Sequence, residues 1–371
     1  MKVMPHFNPY PLNARPAYGR WLMAGAVLLC LASVAAVQVG PFVEPRQAVG
    51  GVVVVLASWL LALLLRMVYH HANRANAERY TYFGKQMQQR WWQEHRQQVS
   101  MIESVLFSPA CSSVETAEAF FAFTYLPAHN VLRALAPVRS PLVRGTQRAE
   151  REIQLARWLV MRWQEQNPAP DVGQIVRCYW SGSVPAWQAF RAQLIELMPQ
   201  VRLPDEPEQW RGFESLNEAI DALQNAPSQS RILCVGCVSL DAGANPGEVA
   251  LLWLLGPNGG PRIQRGEWLA HEAESLAEVS RRALEQAELQ EPAEACITFS
   301  QPQMREEPGP DWDLLKHLQD ANFGALGDME AMVALTLACW YTQVNAVPCS
   351  WLASDPTHSV ALGVVKPYEP A

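Results

Sequence analysis

Signatures of several enzyme classes are missing from this sequence. No HExxH places two histidines on one helix face for zinc, no GxGxxG is present to take a dinucleotide, and no GxSxG supplies a nucleophile elbow. The eight histidines, His6, His70, His71, His95, His129, His271, His317 and His358, show no ligand spacing. Cys234 and Cys237 form a CxxC, but a second Cys or Cys/His pair that would complete a zinc site is lacking. No metal or cofactor is therefore expected. Disulfide-framework spacing is lacking too. Cys30, Cys111, Cys178, Cys234, Cys237, Cys296, Cys339 and Cys349 are scattered, which fits a reduced compartment and argues against a small stapled secreted fold. Charge is the most informative absence: only 18% of the 371 residues are Asp, Glu, Lys or Arg, and the runs Trp21–Val39 and Gln47–Leu65 contain none.

Each uncharged run is long enough to cross a bilayer, whose hydrocarbon core of roughly 30 Å needs about 20 apolar residues in a helix. A buried helix of a soluble protein is rarely apolar all round. Lys2, Arg15 and Arg20 give the first run a basic start, as a signal peptide has. Its apolar part nevertheless exceeds the usual h-region of about 7–15 residues, and a second span follows at once, so a transmembrane hairpin is the better reading. The link from Gly40 to Gln47 carries only Glu44 and Arg46 as charges and makes a tight turn. Arg66, Arg74, Arg79, Lys85 and Arg90 follow the second span against Glu78, so the positive-inside rule puts both ends of the chain in the cytoplasm of a bacterial-type inner membrane. Trp21, Trp59 and Tyr69 sit near span ends, where amphipathic rings favour the headgroup layer, and the basic membrane-proximal third suits anionic lipid. The net charge of −7 gathers its acids beyond Asp205, and nothing points to nucleic acid.

The expected organisation is a cytoplasmic tail over 1–20, a hairpin over 21–68 with spans at about 21–39 and 47–66, a helical stalk over 69–107, and a cytoplasmic α/β domain over 108–371. The stalk is polar, free of proline, and has one glycine, Gly84; Trp91 and Trp92 near its end pack on the globular domain or lie at the lipid surface. Beyond it, helix and strand signals alternate. VETAEAFFAFTYL reads as a helix capped by Ser112 or Ser113, and Gln147–Gln166 as an amphipathic helix burying Ile153, Ala156, Leu159, Val160 and Trp163. Helices are expected at Ala186–Leu197, Leu216–Leu223, Glu272–Gln290 and Met329–Gln343. The apolar runs Arg231–Leu240 and Glu248–Gly256 read as buried strands, with further strands at CITFSQ and SVALGVVKP. This alternation predicts a layered α/β domain.

Residues that could carry chemistry each have a plain structural reading. On a strand, Cys234 and Cys237 face opposite sides, which suits core residues rather than a redox pair. His70 and His71 directly follow the second span and read as interfacial. GPNGG, Gly256–Gly260, lacks the lysine and helix of a phosphate loop and reads as a turn. Cys111 in PACSSVE precedes a helix and is open to two readings: an activated nucleophile, or a buried neighbour of ordinary N-cap serines. Glu306/Glu307 and Asp311/Asp313 flank prolines in REEPGPDWD and belong to a solvated loop.

The C-terminal half resembles the second half of thiolase-like, ketoacyl-synthase-type domains. RILCVGCVSLDA is similar to their buried strand, GEVALLWLLG to the next strand, GALGDMEAMVALTLA to a glycine turn opening a small-residue helix, and HSVALGVVKP to the closing strand; together these cover roughly 140 residues. The condensing enzymes place a catalytic histidine in the glycine turn, whereas Gly324–Asp328 has none. Cys111 lies about 120 residues before the RILCVGCVSL strand, where the enzyme pattern expects a few tens. The resemblance therefore implies the fold without an identifiable catalytic site. A degenerate domain of this kind behind N-terminal spans resembles the adaptor family of type VI secretion lipase effectors, which implies a protein that binds a toxin in the cytoplasm and passes it to the secretion machinery.

Three function classes follow. The leading one is a non-catalytic, membrane-tethered adaptor or chaperone with a protein partner; the others are a membrane-bound acyl-transferring or condensing enzyme working through Cys111, and a scaffold subunit of an envelope complex, for which Ala24, Gly25, Ala26, Gly50 and Gly51 offer small helix-packing surfaces. Exposed tryptophans are natural interface anchors. Of the 14 present, Trp180, Trp210 and Trp312 lie near Pro- or Gly-containing loops and are the candidate partner-binding residues.

Overall fold

The computed structural model describes residues 5–39, 44–121, 137–241, 245–269, 274–300, 312–358 and 360–368. Among them are nine helices and one mixed sheet of eleven strands. The chain divides into two compact units, Met1–Glu94 and His95–Ala371.

The first unit is built on α1 (Tyr18–Val39) and α2 (Pro45–His95), both long and apolar enough to cross a membrane. Their leucines and valines are exposed, among them Leu22, Leu31, Val54 and Leu61. Gly25 is the buried residue of α1, because the Trp59 indole rests on it so closely that a Cβ there would lie 2.5 Å from the ring. The segment before α1 runs back along the polar part of α2. Asn13 bonds Asn73 and Tyr69, and Phe7 and Tyr10 pack on Tyr80.

The expected stalk is too long. The helix stops at His95, and Gln98–Phe107 is strand β1 at the centre of the sheet rather than helix. Pairing decides this: β1 lies antiparallel to β5 (Glu248–Gly256) on one side and to β6 (Arg262–Gln264) on the other, partners more than 140 residues away that local propensity cannot register.

Three strands extend the sheet from β5 to one edge. β4 (Ser230–Ser239) pairs antiparallel with β5, and β2 (Gln174–Ser181) and then the short β3 (Glu208–Gln209) follow in parallel. On the other side β6 leads to β11 (Ala361–Lys366), β10 (Cys349–Ala353), β8 (Ala295–Thr298) and β9 (His317–Leu318), with β7 (Glu267–Trp268) beside β11. The expected strands at Arg231–Leu240 and Glu248–Gly256 are present and buried on both faces. Ile232, Cys234, Val249, Leu251 and Trp253 face one core; Leu233, Val235, Cys237, Ala250 and Leu252 face another. That alternation explains the unbroken apolar runs.

The second of these cores is closed by α4 (Arg148–Gln166) and α5 (Val184–Leu197). In α4, Ala156, Leu159, Val160 and Trp163 are buried as expected, but Ile153 is half-buried, and Leu155, Arg151 and Glu152 are buried instead. The first core holds α3 (Val114–Phe121), α6 (Phe213–Leu223) and α9 (Glu330–Asn345). α9 is buried at every position from Ala331 to Thr342 and packs on β1, β8, β10 and β11, while its Thr336 hydroxyl accepts from the Trp253 indole of β5 at 2.7 Å. Small residues let a helix sit between sheet halves in this way. A third core under α7 (Leu276–Ala287) covers the far face of β8, β10 and β11. α7 is shorter than expected and begins at a capping box in which Ser275 and Glu278 bond each other's backbone N–H. α8 (Asp320–Phe323) and the tight turn Gly327–Met329 lead into α9.

Candidate functional site

Cys111 sits between β1 and α3 with 3% of its surface exposed. Burial pushes its thiol up to about 12, with the Ser108 hydroxyl opposing this weakly from 3.8 Å. The Ser108 hydroxyl is engaged elsewhere: it accepts from Cys111 N–H at 3.0 Å and donates to Cys111 O at 2.9 Å. Ser113 caps α3, its hydroxyl accepting from Thr116 N–H at 3.4 Å. Such a thiol is protonated at neutral pH, the opposite of an activated nucleophile.

The CxxC pair is divided between two cores, Cys234 in one and Cys237 in the other, and burial raises both thiols well above their ordinary value. His317 is buried beside Tyr341, its ring 5.9 Å from the phenol, and burial lowers its pKa. Among the described residues no group of three or more His, Cys, Asp or Glu side chains could hold a metal ion. GPNGG is the turn from β5 to β6, where a Cβ on Gly260 would stand 2.0 Å from Met101 O. His129, His271, Glu306, Glu307 and Asp311 lie outside the described residues; Asp313 closes a local turn by accepting from Leu315 and Lys316 N–H.

The three candidate tryptophans are not exposed anchors. Trp180 and Trp210 are 6% exposed and Trp312 is 8% exposed. Each is an amphipathic ring near a loop whose apolar body has been drawn into a core: Trp180 beneath α5, Trp210 against Trp253, and Trp312 in the core under α7. The structure nevertheless brings two of them together. Trp180 and Trp210 line one cleft of about 890 Å³ where the parallel strands β2, β3 and β4 end, and Trp312 is remote from it. Open α/β sheets bind ligands beyond the carboxyl ends of such strands.

The cleft draws on segments far apart in sequence. The end of β2 gives Trp180 and Ser181, α5 gives Trp187 and Arg191, the link into β3 gives Asp205 and Glu206, and the turn before α9 gives Asp328 and Met329. Gly182 makes the turn from β2 into α5 at φ +148, close against Cys237 O. The Trp180 and Trp187 rings lie 5.3 Å apart, and Arg191 pairs with Asp205 at 2.6 Å. No family model matches the chain, and no curated protein matches it either. The chemistry of the cleft therefore has to be read from its own residues. Sequence reasoning found Trp180 and Trp210 but missed their neighbours; the acidic PDEPEQW run at Pro204–Trp210 was the available signal.

Proposed function

We propose that the protein is a membrane-tethered adaptor or chaperone that holds a protein partner on the cytoplasmic side of a bacterial inner membrane without catalysing a reaction on it. The observation that carries this reading is the pairing of two apolar helices, exposed along their length, with a separate large compact unit. Exposed leucines and valines in such density need lipid as their solvent. The segment before α1 lies along α2 beyond its apolar run, with residues 7–13 beside 69–84, which supports both chain ends being on one side. The basic residues of that region supply the orientation.

A thiolase-like layering is part of the proposal. Its support is the order of layers: α4 and α5 outside, one sheet half, then α9 with α3 and α6, the other sheet half, and α7 outside. The buried, protonated Cys111 weighs against the condensing-enzyme alternative. By the resemblance in sequence, the partner is a lipase effector of type VI secretion.

Alkaline extraction of membranes should leave the full chain in the pellet, and a reporter fused after Ala371 should be active only in the cytoplasm. Release by alkali or an externally active reporter would refute the tether. Affinity purification should recover one effector with a fragment starting at His95; recovery that needs α1 and α2 would point to the envelope scaffold instead.

A further inference from the structure

The cleft beyond β2, β3 and β4 has an uneven balance of charge. Four carboxylates line it, Asp205, Glu206, Glu208 and Asp328, against the guanidiniums of Arg148 and Arg191. Both arginines are already engaged, Arg148 with Glu152 at 2.7 Å and Arg191 with Asp205 at 2.6 Å, and Glu208 faces Arg177 at 3.6 Å. Among the described residues Glu206 and Asp328, both exposed, have no ion-pair partner. The cleft therefore offers two uncompensated negative charges over an aromatic floor.

Two further features bear on what fits there. Trp210 is buried and lines the cleft, and its indole N–H has no acceptor. Buried donors are almost always satisfied, so an unpaired one beside a cleft marks a place for an acceptor from outside. The second is β3, which ends the sheet: its inner side pairs with β2, and its outer edge is open to another extended chain.

We infer that this cleft is the docking site for a basic, extended segment of the protein partner. An arginine or lysine enters between Glu206 and Asp328 against the tryptophan rings, where cation–π attraction adds to ion pairing. A backbone carbonyl of the same segment accepts from the Trp210 indole. The inference rests on the adaptor reading and adds to it the surface and the chemistry of the segment recognised.

Fluorescence anisotropy on the full chain in detergent micelles tests it. The probe is a labelled peptide of alternating arginine and leucine, compared with one carrying glutamate in place of arginine. The double variant Glu206→Lys/Asp328→Lys should weaken binding of the basic peptide at least tenfold with the melting temperature unchanged, and the acidic peptide should not bind the native chain. Trp210→Phe, which keeps an aromatic ring of smaller size and removes the donor, should weaken binding a few-fold. Glu196→Lys makes the same charge change as either single substitution, but on α5 outside the cleft, and should have little effect. Equal weakening by Glu196→Lys, or none from the double variant, overturns the inference. In cells, a full chain that recovers its partner equally well with and without the double substitution refutes the cleft while leaving the adaptor intact. A native chain that recovers no partner refutes the adaptor and the inference with it.

Discussion

Replacing Glu248 by alanine removes a fully buried carboxylate from the first position of β5. It accepts from Arg151 Nε and Nη2, each at 2.8 Å, from Ser140 N–H at 2.5 Å and from the Ser239 hydroxyl at 3.1 Å. Breaking a buried ion pair from one side costs about 3–5 kcal/mol, because the other charge is left without compensation. Arg151, however, also donates to Val143 O, Gly145 O and Ser140 O at 2.8, 3.1 and 3.3 Å. These carbonyls keep the stranded guanidinium partly satisfied, which places Glu248→Ala near the lower limit, at about 3 kcal/mol. Arg151→Met leaves the carboxylate with one N–H and one hydroxyl, so its cost lies near about 5 kcal/mol. The double variant Arg151→Met/Glu248→Leu should lose less than the sum, with a coupling of about 2 kcal/mol or more. Urea unfolding of the full chain in micelles, followed by tryptophan fluorescence, measures all three. Additive losses, or Glu248→Ala costing more than Arg151→Met, would refute the reasoning.

Four further outcomes are expected. Burial, opposed by Arg282, raises the Glu267 carboxyl to about 7 from 4.5, so the folded unit holds this proton and loses stability as pH rises between those values; Glu267→Gln should flatten that loss by about 3 kcal/mol, and an unchanged slope would count against it. Burial, then Arg265 and Arg282, hold His95 down at about 3 from 6.5; because the folded state excludes this proton, His95→Gln should lessen the stability lost as pH falls from 6.5 towards 3, seen in melting curves. Gly212 has φ +60, and a Cβ there would lie 2.1 Å from the Asp355 oxygen that accepts from Phe213 N–H at the start of α6, so Gly212→Ala should cost about 2 kcal/mol or more in the same unfolding assay. Seven of the eight cysteines are buried, so a thiol reagent should label Cys111 in the native chain no faster than Cys234 or Cys349; selective labelling of Cys111 would revive the nucleophile.

What could be read from the sequence is what local pattern determines. β4 and β5 were legible because burial on both faces leaves an unbroken apolar run, and α4 because one helical stripe faces a core. β1 was not: QVSMIESVLF carries a bulge between Met101 and Glu103 that breaks its alternation, and its partners lie far along the chain. β2 and β10 were missed for related reasons: outer β2 has exposed and half-buried positions, and β10 spans only five residues. The tryptophan candidates show the limit at the site. Proximity to a loop locates a ring but leaves its burial to tertiary packing, and the cleft shared by Trp180 and Trp210 is assembled from segments between Arg148 and Met329 that have no common local signature.

Because β1 follows α2 after only two intervening residues, Arg96 and Gln97, a pull along α2 is delivered to the middle of the sheet. β1 is held by β6 along Gln98–Ser100 and by β5 along Ser100–Phe107, so it is anchored at both ends of its length, whereas a chain attached at β3 or β9 would pull on a two-residue strand at a sheet edge. Such an attachment resists load transmitted along α2. It also dictates where the chain can be cut: a fragment beginning at Ser108 would lack the strand that joins the two halves of the sheet.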